Sequence, residues 1–220
     1  MNTVVSFFQN GGSFMYPIAV VLVIGLALSI ERWVFLMGAR SSNRKATDRI
    51  LPLLKEKDYS GIREITRKNN TPVGRIVTAG LARLQRSSRR DEVEYAMEEI
   101  VMETVPRLEK RTSYISTLAN IATLLGLLGT IMGLIAAFTA VATAEPSEKA
   151  SLLSQSISVA MNTTAFGLIS AIPLLLLHSM IMEKTTEIVD SLEMSGTKFL
   201  NILANTNAFA ARSRSSDKQG

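Results

Sequence analysis

Between residues 112 and 182 the chain carries only three charged side chains, and Glu145, Glu148 and Lys149 all fall in one short break. A water-facing domain has about a quarter of its residues charged, so a stretch this long and this neutral belongs in a bilayer. A helix needs roughly 20 apolar residues to cross about 30 Å of hydrocarbon. The stretch therefore divides into two spans, residues 113–143 and 152–182, joined by a loop at 144–151. A third candidate lies upstream. Residues 14–30 are free of charge and lead into Glu31, Arg32 and Trp33. They form a span over 14–37 if Arg32 snorkels and Trp33 sits at the interface. Pro17 falls in its first turn, where a missing N–H costs little. No Lys or Arg precedes this run, which argues against a cleaved signal peptide.

The distribution of cations orients the spans. Residues 1–13 carry no Lys or Arg, 38–112 carry 17, 144–151 carry one and 183–220 carry five. The positive-inside rule places 1–13 and 144–151 on the periplasmic side, and 38–112 and 183–220 in the cytoplasm. The net charge of +5 is thus a matter of topology rather than of nucleic-acid binding. The fold class expected is all-α, an integral membrane protein with three transmembrane helices and long cytoplasmic helical extensions. In 38–112, Asp91 and Glu92 mark a helix start. Val93, Met97, Ile100, Val101, Thr104 and Leu108 recur at helical spacing. Pro106 is expected to kink that helix or start a new one, and the chain then runs into the second span with no turn signal. Beyond the third span, Ile181, Ile188, Leu192, Phe199 and Leu203 repeat at steps of 7, 4, 7 and 4, a coiled-coil-like stripe. The tail from Arg212 on is polar and reads as disordered.

Composition excludes several function classes. With no Cys and a single His, His178, the chain offers neither a disulfide framework nor a Cys-ligated metal site. No phosphate-binding Gly-Lys-Ser loop occurs, and no acid–base–nucleophile set suggests an enzyme. We expect no metal and no cofactor. His178, near the inner end of the third span, reads as an interfacial polar residue. A proton relay is the minority reading. The long spans carry small and hydroxyl residues instead. In the second, Thr123 and Thr130 are seven apart, as are Gly126 and Gly133, so each pair shares a face. Gly129 and Gly133 form a small-xxx-small pair. In the third, Ser156, Ala160, Thr163, Thr164, Gly167, Ser170 and Ala171 share a face opposite Met161, Leu168, Ile172 and Leu175. Small residues permit close helix packing in lipid, while hydroxyls, with Asn162, can line an ion path. Both readings stand on the residues alone. No acid lies at membrane depth in either long span, whereas an ion path ordinarily needs one. Either the chain moves no ions or a partner brings the carboxylate.

Residues 108–111 (LEKR), 118–133 (LANIATLLGLLGTIMG) and 160–173 (AMNTTAFGLISAIP) closely resemble the MotA/TolQ/ExbB proton-channel family, as do FFQNGG at 7–12 and IER at 30–32. The three-span layout is similar to ExbB and TolQ rather than to four-span MotA. The resemblance implies a homo-oligomeric ring, a pentamer in the ExbB type. The ring would surround ExbD- or TolR-like single-span partners that carry a membrane Asp, in a bacterial inner membrane. It implies an ion channel that harnesses the proton-motive force and drives energy transfer to the periplasm or outer membrane, with TonB-type transport as first choice and a TonB-like protein as further partner. By motif, Thr130 and Thr164 are the pore hydroxyls, with Thr163, Thr123 and Asn162 beside them. Gly126, Gly129, Gly133, Gly167 and Pro173 serve helix packing, and Arg32 and Trp33 anchor the interface. The chain departs from the pattern at Val159, where ExbB-type members usually carry Glu, and at Thr123, where they usually carry Pro. The Thr163-Thr164 pair is similar to sodium-type stator subunits. Rival readings are therefore a Tol-Pal-type or motility motor, driven by H⁺ or Na⁺, and a non-conducting assembly scaffold.

Overall fold

The computed structural model describes residues 11–87 and 89–205, and among these every element is a helix. They run α1 (Met15–Lys55), α2 (Tyr59–Lys68), α3 (Pro72–Leu84), α4 (Arg90–Glu109), α5 (Thr112–Thr143) and α6 (Lys149–Asn205). Three helical stretches, in α1, α5 and α6, are long and apolar enough to cross a membrane. The expectations for the first ten residues and for the tail from Arg212 fall outside the described residues.

The chain forms two compact units. One contains the described residues up to Arg32 together with Arg111–Ile181. The other contains Trp33–Lys110 together with the described residues from Met182 onward. The first unit is the apolar one. In it α5 and α6 pack antiparallel, and the contact is backbone on backbone. A Cβ built on Gly167 would lie 2.8 Å from the Ala122 carbonyl oxygen and 3.0 Å from Gly126 Cα. One built on Gly133 would lie 2.8 Å from Ala160 Cβ. Only glycine allows that approach, which is why the small residues recur at helical spacing. The first part of α1 packs parallel to α6, with Gly25 against Leu174. The outward faces are apolar and open, as at Leu124, Phe138, Met161 and Leu176, each more than 60% exposed. Such surfaces require lipid or other helices around them.

The second unit has a core suited to water. Val93, Met97, Thr104 and Leu108 of α4 are buried, as are Ile188, Leu192, Phe199 and Leu203 of α6. The stripe read from the 7-4-7-4 spacing is thus a buried seam. Gly80 of α3 lets Met97 and Phe199 close over it. Asp58 caps α2 by accepting from Gly61 N at 2.9 Å, and Thr71 caps α3 by accepting from Gly74 N at 3.1 Å, with Pro72 as the next residue.

Of the two outcomes expected at Pro106, a new helix does not occur, because α4 continues past it to Glu109. The interruption comes at Lys110 and Arg111, between α4 and α5, where Arg111 takes the left-handed conformation (φ 68°). A proline near a helix end removes one hydrogen bond, whereas a left-handed residue ends the ladder outright. The Arg111 guanidinium reaches the Glu31 carboxylate at 3.4 Å, a contact that sequence spacing does not reveal.

Candidate functional site

The sequence-predicted threonines divide into two sets, and α1 divides them. Thr163 is 2% exposed. Its hydroxyl lies 2.6 Å from the Gly11 carbonyl and 3.0 Å from that of Val159, so it ties the third span to the turn that precedes α1. Gly129 sits on the same side, since a Cβ there would meet both Thr163 and Phe14. Gly12 packs near Val159 there too. The face formed by Gly129, Val159, Thr163 and Leu174 is therefore the face that α1 covers.

Thr164 follows Thr163 by one residue and Thr130 follows Gly129 by one. Each is turned about 100° around its helix from the α1 side. Because α5 and α6 are antiparallel and touch through Gly126 and Gly167, these rotations bring Thr130 and Thr164 to one common edge, with Thr123 two turns before Thr130 on α5. This edge faces away from α1. Thr123 is exposed there, and Thr130 and Thr164 are half-buried.

The hydroxyl hydrogens on this edge point inward. Thr164 donates to the Gly126 carbonyl across the helix contact at 2.8 Å. Thr130 donates to Leu127 at 2.6 Å and Thr123 to Ala119 at 3.2 Å, both within α5. A hydroxyl has one hydrogen and two lone pairs. With the hydrogens used on backbone carbonyls, the oxygens present lone pairs outward. The edge accepts hydrogen bonds or cations and carries no charge of its own.

The remaining sequence candidates lie elsewhere. Asn162 is half-buried on a different face of α6 from Thr164. Pro173 is exposed within α6, which continues unbroken; its missing N–H leaves the Ile169 carbonyl without the usual donor four residues on. His178 is half-buried. Arg32 is 3% exposed, folded into its unit instead of lying open to lipid, while Trp33 is half-buried. Among the described residues no cluster of His, Asp or Glu is arranged to hold a metal. Sequence reasoning did not find the backbone acceptors Gly11 and Gly126, because a carbonyl leaves no mark in side-chain spacing.

Glycine-packed antiparallel spans and a helical, charged second unit describe a multi-pass membrane protein. Residues 68–194 match the MotA/TolQ/ExbB proton channel family. The chain is 31% identical over 198 residues to the putative biopolymer transport protein ExbB homolog of Methanothermobacter thermautotrophicus, covering 87% of this chain and 67% of that protein. It is 27% identical over 167 residues to the putative biopolymer transport protein ExbB-like 3 of Synechocystis sp., covering 76% and 79%. It is 25% identical over 174 residues to the biopolymer transport protein ExbB of Pseudomonas putida, covering 72% and 52%. The chain belongs to the MotA/TolQ/ExbB proton channel family. It is a multi-pass membrane protein and a subunit of that channel class.

Proposed function

We propose that this chain is the ring-forming, ion-path subunit of an ExbB/TolQ-like motor in a bacterial inner membrane. Its copies surround a single-span partner of the ExbD or TolR kind, which supplies a carboxylate at membrane depth. In this reading residues 1–13 and 144–151 face the periplasm, spans occupy 14–37, 113–143 and 152–182, and the charged remainder is cytoplasmic. Ion flow then drives the partner and delivers work to the periplasm, as in TonB-type transport. One observation carries the reading. Thr123, Thr130 and Thr164 share an edge that α1 leaves uncovered, and that edge holds no ionisable group.

The polarity of the hydroxyls says what such an edge can do. Lone pairs facing outward stabilise a hydrated cation or the O–H of a protonated carboxyl, and they do nothing for a bare carboxylate. A partner Asp is thus accepted in its neutral, ion-loaded form, and movement along the edge is linked to loading. Thr163 holds the third span to the turn before α1 and acts by position.

The test is reconstitution in liposomes with a co-expressed single-span partner carrying a membrane Asp. Thr130→Val and Thr164→Val should each abolish ion flux while the assembly persists. Thr163→Val should lower stability more than flux. Wild-type flux in both Thr130→Val and Thr164→Val refutes the edge as the ion path. A flux that follows Na⁺ at fixed potential and pH, and survives a protonophore, assigns the sodium ion in place of the proton.

A further inference from the structure

The second unit contains a cavity of about 320 Å³ that the ion-path reading does not use. Its walls come from one stripe of α1 and a short piece of α6. Trp33, Met37, Arg40, Ser41 and Arg44 are spaced at steps of 4, 3, 1 and 3, so they line one face of α1, and Lys184 closes the side from α6. Leu36 and Ile188, 2% and 3% exposed, form the floor. The cavity is amphipathic along its length. It begins at Trp33 and Met37, where the apolar run of α1 ends, and finishes roughly 16 Å further on at Arg44. With the apolar run of α1 taken as the span, the apolar end falls beside the hydrocarbon and the cationic end beside the headgroups.

The charges are unbalanced in favour of an anion. No carboxylate lines the cavity among the described residues; beside it Glu187 meets Arg40 at 2.5 Å and Lys184 at 2.8 Å, and Asp48 stands one turn beyond Arg44 on α1. Arg44 makes no ion pair among the described residues. The cavity wall thus carries three cations and no carboxylate of its own. A guanidinium fork matches a phosphate with two parallel hydrogen bonds, and an aromatic at the membrane boundary lies beside the glycerol region and first methylenes of a lipid.

We propose that this cavity binds an anionic phospholipid from the leaflet on the side of the charged unit. Arg40, Arg44 and Lys184 hold the headgroup phosphate, and Trp33, Met37 and Leu36 take the start of an acyl chain. A zwitterionic lipid offers the same phosphate with a cation attached, so it meets the same arginines with less net attraction. The assignment rests on the multi-pass nature of the chain and needs neither the ring nor the partner. Its failure leaves the ion-path reading standing.

The experiment is native mass spectrometry of the full-length protein released from a mild detergent. Dioleoyl phosphatidylglycerol is titrated against dioleoyl phosphatidylcholine, and soluble glycerol 3-phosphate serves as a competitor. The wild type should retain phosphatidylglycerol in preference. The double variant Arg40→Gln/Arg44→Gln should weaken that retention roughly thirtyfold, about fivefold per cation near an anionic surface. Glu187→Gln removes the competing carboxylate and should strengthen retention, and it decides the matter should the double variant fail to fold. Equal retention of the two lipids overturns the proposal, as does unchanged retention in the double variant or weaker retention in Glu187→Gln. Displacement by glycerol 3-phosphate reassigns the cavity to a free anion.

Discussion

Gly167→Ala tests whether the α5–α6 contact is the fixed element of the membrane unit. The added methyl would meet the Ala122 carbonyl oxygen at 2.8 Å and Gly126 Cα at 3.0 Å. Both are backbone atoms and neither can rotate away. The helices must separate by roughly half an ångström before these contacts reach van der Waals distance. Such overpacking costs about 1–3 kcal/mol. The same separation stretches the Thr164–Gly126 hydrogen bond from 2.8 Å toward the edge of the effective range, a loss of about 0.5–1.5 kcal/mol. Against this stands the helix-propensity gain of alanine over glycine, about 1 kcal/mol. The net is about 2 kcal/mol of destabilisation. Gly38 supplies the internal control, since a Cβ there has no neighbour within 4 Å and Gly38→Ala realises only the gain. In thermal unfolding in one detergent, Gly167→Ala should lower the midpoint by about 4–8 °C and Gly38→Ala should raise it by about 2–4 °C. Adding Thr164→Val to Gly167→Ala should cost little more, because the separated helices have already weakened that bond. Equal midpoints for the two alanine variants, or a fully additive double variant, would refute the argument.

In the second unit, Phe199→Ala should cost about 3–5 kcal/mol, measured by chemical unfolding, because Phe199 is 1% exposed at the centre of the seam. Thr71→Ala removes the acceptor for Gly74 N and should cost about 1 kcal/mol, seen as faster amide exchange at the start of α3. The Asp58 carboxyl is held below the usual carboxylate range by the Ser60 hydroxyl first and the Gly61 N–H second. Its lowered value means that the cap is fully present above the ordinary carboxylate range and is lost as pH falls through that lowered value. Amide exchange in α2 should therefore rise on acidification below about pH 4, and Asp58→Asn should flatten that dependence.

Much of the fold is legible in the chain because membrane depth and helical period both leave strong marks. The neutral run of 112–182 fixes two spans, and the 7-4-7-4 stripe from Ile181 to Leu203 is buried at all five positions. The glycines announce a close helix contact by their spacing. Less legible is which side of each span meets α1. Thr163 and Thr164 are chemically identical neighbours, and only the position of the Gly11 carbonyl separates the one that is covered from the one that is not. The break at Arg111 was hidden for a related reason. Proline is visible in a sequence, but an arginine in the left-handed conformation looks like any other arginine until the chain is folded. The cationic cavity escaped because Lys184 is some 140 residues from Arg40 and Arg44, and nothing local in either segment marks the pairing.

The inward-turned hydroxyls also bear on how the spans are made. Ser29 donates to the Gly25 carbonyl at 2.7 Å, Thr130 to Leu127 and Thr139 to Ile135, each inside its own helix. A span that satisfies its own hydroxyls can leave the translocon alone without exposing an orphan donor to lipid. That matters here because α1 is synthesised about 150 residues before the part of α6 it packs against, a wait on the order of ten seconds or more at bacterial rates. Thr164 differs, since the carbonyl of Gly126 reaches it from another segment of the chain, and Thr163, which has the Val159 carbonyl of its own helix, gains that of Gly11 as well. Both sit on the third span, after their acceptors in chain order, so each enters a bilayer that already holds its acceptor. The order of synthesis and the order of hydrogen-bond completion coincide, and the polar contacts that close the membrane unit are the last that the ribosome makes possible.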